Sequence, residues 1–278
     1  MAFPREIARP MTLTELRPLL QRGALPLAGG ALTFNRLQAQ AELVADVSGI
    51  EELRRVIDHD SGLTLGGAVM LGALLEMPAV PTALRQTLTR VVSPHVLNHT
   101  SIAESLTGRS HPLMREWLTA LAALDAGVEV YHAAHDARTW VSIDVLLAGE
   151  ADTGAIIGLF LPRLQAGQAL AAAQVSRTPA DVPIVNVAVL VTLEPDGRVQ
   201  QASAALGGVS PALVLNVALH GLSGSPLSEA AISAAAEEAA SAFAPPDDYL
   251  GSSAYRREMG RVLTARALQD SQRQLAQG

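Results

Sequence analysis

The stretch "IVNVAVLVTLEPDGRVQQASAALGGV" (Ile184–Val209) alternates apolar side chains with period two on either side of a Pro-Asp-Gly turn. Val185, Val187, Val189, Val191 and Leu193 fall on one face, so the segment predicts an antiparallel hairpin with that face in a core. A half-buried sheet needs a covering layer. "PLSEAAISAAAEEAASAF" follows as an alanine-rich helix that Pro245 and Pro246 stop, and another helix starts near Ser253. Strands followed by helices make this part of the chain α+β.

Working back towards the N-terminus, Thr12 with Glu15 and Ser48 with Glu51 have the spacing of capping boxes, each predicting a helix start. Between and after them lie the short apolar runs "LPLA", "LVADV" and "GLTLGG". They read as strand, Gly-Gly turn, strand, helix, strand over residues 25–67. A helix is expected from Thr82 to Arg90, with Pro94 ending it. "EWLTALAALDA" places Trp117, Leu118, Leu121 and Leu124 on one helical face, and "GVEVYH" and "RTWVSIDV" read as strands around the turn "AAHDA". From Gln165 to Pro179 the chain is rich in Gln and Ala with few anchors. The domain boundary is expected there, giving 1–168 and 169–278.

A chain of 278 residues can bury two cores. Its net charge is -7 with no basic block, which argues against nucleic-acid binding, where a concentrated positive face is needed. The absence of cysteine excludes disulfides, iron–sulfur ligation and thiol nucleophiles within the chain. The run "AIIGLFLP" is far short of the roughly 20 apolar residues that span a bilayer, and "MAFPREIARPMTLTEL" has no apolar signal core. A cytoplasmic location is expected.

Local constellations are weak. His95 and His99 are spaced i, i+4, but Pro94 disfavours a helix through them and no carboxylate motif accompanies them, so surface histidines are expected rather than zinc ligands. His132 and His135 flank a hairpin turn. "GLSGS" (221–225) lacks the second glycine of a nucleophile elbow. Asp247 and Asp248 read as a helix-start feature. "LPLAGGALTFN" is more informative, because Gly-Gly after a strand permits positive φ and close approach of backbone amides to an anion. A plain tight turn fits the same residues.

Taken together, the segments resemble the FAD-binding medium subunit of molybdenum hydroxylases, the family of the xanthine dehydrogenase and carbon monoxide dehydrogenase flavoproteins. "LPLAGGALTFN…AELVADVSGIEELRRV" is similar to the family's first flavin segment, which reads AGGTDL, and "GLTLGGAVMLGALLE" to the LTIGAATTLAEL segment. "VLNHTSIAESLTGRSHPLMREWLTALAALDAGVEV" resembles the second flavin segment, RN-x-x-T-I-G-G-N-L, with its later proline, aspartate and run ending LLALDA. "DGRVQQASAALGGVSPA", "LSGSPLSEAAISAAA" and "DDYLGSSAYRREMGRVLTARAL" resemble the C-terminal domain. The resemblance implies a two-part N-terminal PCMH-type FAD-binding domain and a C-terminal domain of a three-stranded sheet plus helices.

Carried over residue by residue, the resemblance places FAD near Ala28, Gly29, Gly30, Ala31, Asn98, Ser101, Ile102, Ala103, Glu104, Ser105 and Glu116. Ala28, Gly29, Gly30, Asn98 and Ile102 match the pattern. Ala31 replaces a threonine, Leu97 an arginine, and Val69 and Met70 two threonines. Ser101 stands at the motif's threonine and Glu116 at its aspartate. Ala103, Glu104 and Ser105 replace Gly-Gly-Asn, which adds side chains and a negative charge where phosphate would lie, so weak flavin binding is expected. Glu104 would repel phosphate unless it rotated into solvent. The implied function is electron transfer from an iron–sulfur small subunit, beside a large subunit holding the molybdenum cofactor. Association with those partners or with a second copy is expected, without catalytic acid–base or metal-ligating residues in this chain. The alternative is a flavin-free relative serving as a scaffold or assembly partner.

Overall fold

The structure, a computed structural model, describes residues 4–32, 42–107, 111–149, 154–178, 181–208 and 214–277. Residues 33–35 of the quoted Gly-Gly segment, Gly108 and the "VSPA" after Gly208 lie outside them. The chain runs β1 (Glu6–Ala8), α1 (Leu13–Gln21), β2 (Leu25–Leu27), β3 (Leu43–Asp46), β4 (Val56–His59), β5 (Gly62–Gly66) and α2 (Thr82–Val91). Then come α3 (Pro94–Asn98), α4 (Ile102–Thr107), α5 (Arg115–Ala123), β6 (Gly127–His132), β7 (Ala137–Ser142), α6 (Ile143–Ala148) and β8 (Ala155–Pro162). β9 (Gln168–Val175), β10 (Val185–Leu193), β11 (Val199–Gly207), β12 (Leu215–Ala218), α7 (Glu229–Ala242) and α8 (Ser253–Leu275) complete it.

Two compact units form. The first comprises residues 1–80, 92–111 and 126–163; the second, 81–91, 112–125 and 164–278. By packing, α2 and α5 therefore belong with the C-terminal sheet. The chain division expected at 168 does not register this, because both helices precede the sheet they cover.

In the first unit β1 and β2 flank β3 in a parallel sheet. Its core joins Leu16, Ala28, Ala45, Ile50 and Leu53. An antiparallel sheet runs β4-β5-β8-β6-β7. The apolar run "AIIGLFLP" is its central strand β8, buried because neighbours lie on both sides. No helix among the described residues is long and apolar enough to cross a membrane.

Several expectations need correction here. Half of the Thr12 box forms: the Thr12 hydroxyl accepts from the Glu15 amide at 3.1 Å, while the Glu15 carboxylate reaches one residue further, accepting from Met11 N at 2.8 Å. The Ser48 box does not. Ser48 donates to Asp46 instead, and Glu51–Arg54 is a single 3-10 turn that no side chain caps. Pro94 opens α3 at its first position, where the missing N–H is no loss, with Ser93 as the cap. "RTWVSIDV" is strand only to Ser142, which caps α6.

The second unit carries the valine hairpin. β10 and β11 pair antiparallel, and Val185, Val187, Val189 and Val191 are all in its core. The sheet has four strands, β12-β11-β10-β9, not three. The Gln/Ala-rich segment expected as a boundary supplies the edge strand β9, whose small side chains are covered by α8. α7 shows Ile232, Ala235, Ala236 and Ala239 to the core at helical spacing. Fully buried Arg256 near the start of α8 donates to Pro246 O at 2.8 Å and to the Asp248 carboxylate. Asp247 accepts from Ser253 N at 2.6 Å, so both aspartates serve the helix start. Hydrogen bonding to Arg256 holds the Asp248 carboxyl below the usual range.

Candidate functional site

The Gly-Gly turn after β2 belongs to the first unit, and so does α4. Gly29 and Gly30 both take positive φ (104° and 110°), which side-chain-bearing residues rarely adopt. A Cβ on Gly29 would lie 2.3 Å from the backbone oxygen of His99, so glycine is required there by contact as well as by conformation. The turn aims successive amides in different directions. Ala31 N donates to His99 O at 3.1 Å, while the amides of Gly30 and Leu32 converge on one spot. Convergent backbone amides of this kind make an anion seat.

That seat holds the carboxylate of Glu104. Its Oε2 accepts from Gly30 N at 3.0 Å and its Oε1 from Leu32 N at 2.8 Å. Glu104 is 4% exposed, so it neither juts towards an incoming phosphate nor rotates into solvent, the two outcomes expected from the sequence. Burial is tolerable because both oxygens receive amides. His111 is in the same field: burial lowers its imidazole pKa, and the Glu104 charge works the other way.

α4 is itself tied down through its first turn. Ile102 N donates to Val69 O at 2.8 Å, Ala103 N to Gly67 O at 2.9 Å, and Ser105 N to Ser101 O at 2.9 Å. The Glu104 amide donates to the Ser101 hydroxyl at 3.1 Å, and the Ser105 hydroxyl donates to Ile102 O. α4 is thus a short helix whose first amides are committed within the fold.

Among the sequence-derived residues, the structure brings Gly29, Gly30 and Ala31 together with Ser101, Ala103 and Glu104. Ala28, Ile102 and Ser105 are buried, with Ala28 in the core cluster. Asn98 is exposed, and its side chain lies so close over Gly72 that a Cβ there would sit 2.1 Å from its Oδ1. Glu116 belongs to the second unit, where Arg90 donates to its Oε1 at 2.6 Å. Burial pushes its carboxyl up to about 7 against the opposing pull of Arg90, and its Oε2 has no partner among the described residues. Sequence reasoning missed the Leu32 amide, the His99 carbonyl and Arg90. One signal was available: Ser101-x-x-Glu104 is itself a capping-box spacing.

His95 and His99 lie side by side, ring centroids 4.6 Å apart and planes tilted by 39°, on the α3 turn that Pro94 starts. Among the described residues no group of three or more His, Cys, Asp or Glu side chains could hold a metal ion.

Comparison with known proteins decides the family. Residues 3–166 match the model of the FAD binding domain in molybdopterin dehydrogenase, and residues 171–271 that of the CO dehydrogenase flavoprotein C-terminal domain. The chain belongs to this family. The alpha subunit of the 6-hydroxypseudooxynicotine dehydrogenase complex of Paenarthrobacter nicotinovorans is 25% identical over 246 residues, covering 84% of this chain and 81% of that protein. Among solved structures, quinoline 2-oxidoreductase from Pseudomonas putida 86 superposes with a TM-score of 0.85 at 21% identity, covering 99% of each chain. Carbon monoxide dehydrogenase from Hydrogenophaga pseudoflava gives 0.83 at 23%, covering 98% of each. These likenesses establish the two-domain medium-subunit fold.

A family member is expected to hold the diphosphate of FAD on backbone amides. In the ligand-free arrangement a diphosphate reaches the convergent amides of Gly30 and Leu32 only once Glu104 leaves them, and the amides of residues 102–105 are spent within the fold.

Proposed function

We propose that this chain is the FAD-containing electron-transfer subunit of a molybdenum hydroxylase-type oxidoreductase. In such an assembly it would take electrons from an iron–sulfur small subunit, with a separate large subunit carrying the molybdenum cofactor. The observation that carries the reading is the match of both family domains in series along the chain, with the anion seat at Gly30 and Leu32 retained. The family match favours a flavin-binding subunit over a flavin-free scaffold. The protein's part is to seat and orient the flavin, which carries the redox chemistry, so this chain needs no acid–base pair of its own.

Purification from the native host tests the proposal. The expected outcome is co-purification with a molybdenum-containing large subunit and an iron–sulfur subunit, a flavin absorption spectrum, and flavin released on denaturation. A colourless complex that releases no flavin would overturn it.

A further inference from the structure

We infer that Glu104 is a built-in occupant of the diphosphate seat, so that a dinucleotide enters only by exchanging with this carboxylate. The inference rests on the flavin reading for what the ligand is, and on the geometry for what Glu104 does. A carboxylate presents two oxygens in a plane, and here each takes one of the two convergent amides, Gly30 N at 3.0 Å and Leu32 N at 2.8 Å. These are the interactions an anionic ligand would make with the same amides. The intervening amide, Ala31 N, is excluded from the seat by its bond to the His99 carbonyl. Among the described residues the seat thus offers two donors, and Glu104 uses both.

The side chain arrives from a rigid base. The Ser101 hydroxyl and the Val69 and Gly67 carbonyls anchor the first turn of α4, and Ile102 and Leu106 are fully buried. Holding the carboxylate on a fixed backbone gives it a high effective concentration at the seat. An external anion therefore binds the fraction of molecules whose seat is open, and its affinity falls by that fraction. A seated carboxylate favoured by about 30 to 1 would weaken binding about 30-fold. Glu104 is then an affinity-setting residue that acts by occupancy.

The experiment uses the full chain and three probes: inorganic pyrophosphate, ADP and FAD. Glu104→Gly restores the residue that the family motif carries, and Glu104→Gln keeps the length and helix propensity of the side chain while removing its charge. Both variants should bind pyrophosphate and ADP on the order of 30-fold more tightly than the native chain by calorimetric titration. In ligand-free protein, Glu104→Gln should speed amide hydrogen exchange at Gly30 and Leu32 while leaving Ala31, which donates elsewhere, unchanged. Affinities within twofold across the native chain and both variants would overturn the inference, as would unaltered exchange at Gly30 and Leu32. The flavin content of the native complex separates this from the proposed function. Tighter pyrophosphate binding in the variants of a flavin-free protein supports the inference while the function fails. A flavin-loaded native protein whose variants bind no better overturns the inference and leaves the function standing.

Discussion

Glu104 and Glu116 are both buried glutamates, yet their surroundings treat the charge in opposite ways. In the first unit the Glu104 carboxylate accepts backbone amides through both oxygens. In the second, Glu116 relies on the Arg90 side chain through one oxygen, and the other has no partner among the described residues. Fixed amides are part of the turn and are already oriented, whereas a guanidinium on a flexible stem must be held in place. The difference shows that equal burial does not mean equal solvation. Glu104 resides in a site shaped for an anion; Glu116 is a strut between α2 and α5 that carries a desolvation penalty.

The sharpest way to break the comparison is to destroy the amide seat. Gly29→Ala forces a Cβ against the His99 carbonyl at a positive φ, and should cost about 4 kcal/mol in denaturant unfolding. Gly30→Ala, whose added carbon meets only the Leu27 side chain at 3.6 Å, should cost about half as much. Equal losses would show that contact with His99 is not what holds the turn.

Second in size is the pH dependence of Glu116. Its folded-state pKa of about 7 stands above the ordinary 4.5, so between those values the folded state binds more protons than the unfolded one. Stability should therefore be fullest below pH 4.5 as far as this group is concerned, fall as pH rises through the window, and level off above 7. A rise of that size corresponds to about 3 kcal/mol. Glu116→Gln should remove that decline. Parallel stability profiles for the two proteins between pH 5 and pH 8 (about the window set by linkage) would refute it.

The smallest effect contrasts Glu104 with Glu15, a carboxylate that accepts a single local amide, Met11 N. Glu104→Gln places an amide donor against a backbone donor in a buried site and should cost about 2 kcal/mol in the ligand-free chain. Glu15→Gln, exposed at the start of α1, should cost about 0.5 kcal/mol in the same assay. Equal effects would mean that Glu104 gains nothing from its seat beyond an ordinary cap.

These contrasts also mark what could be read without a structure. The β10–β11 hairpin was legible because its valines alternate against a core on one side and a Pro-Asp-Gly turn fixes its end. β9 was not, because "QALAAAQV" fills its positions with small residues that carry no period-two contrast. β4 was missed because all four of its residues are exposed. Pro94 misled because proline stops one helix and suits the first turn of the next. At the site, the glycines and the replaced Gly-Gly-Asn motif stood out in the sequence, but the destination of Glu104 did not. Ser101-x-x-Glu104 encodes a cap, and only the tertiary fold brings Gly30, 74 residues away, within reach of the carboxylate.

The closed seat also changes how ligand binding and folding are linked. A ligand stabilises a protein in proportion to its net affinity for the folded state. In a seat with open amides, the full gain of the new hydrogen bonds would appear as a raised melting temperature. Here the two converging amides are paired before any ligand arrives, so an incoming diphosphate replaces bonds instead of adding them. In the ligand-free chain the Gly30 and Leu32 amides therefore lose no hydrogen bond for want of a ligand.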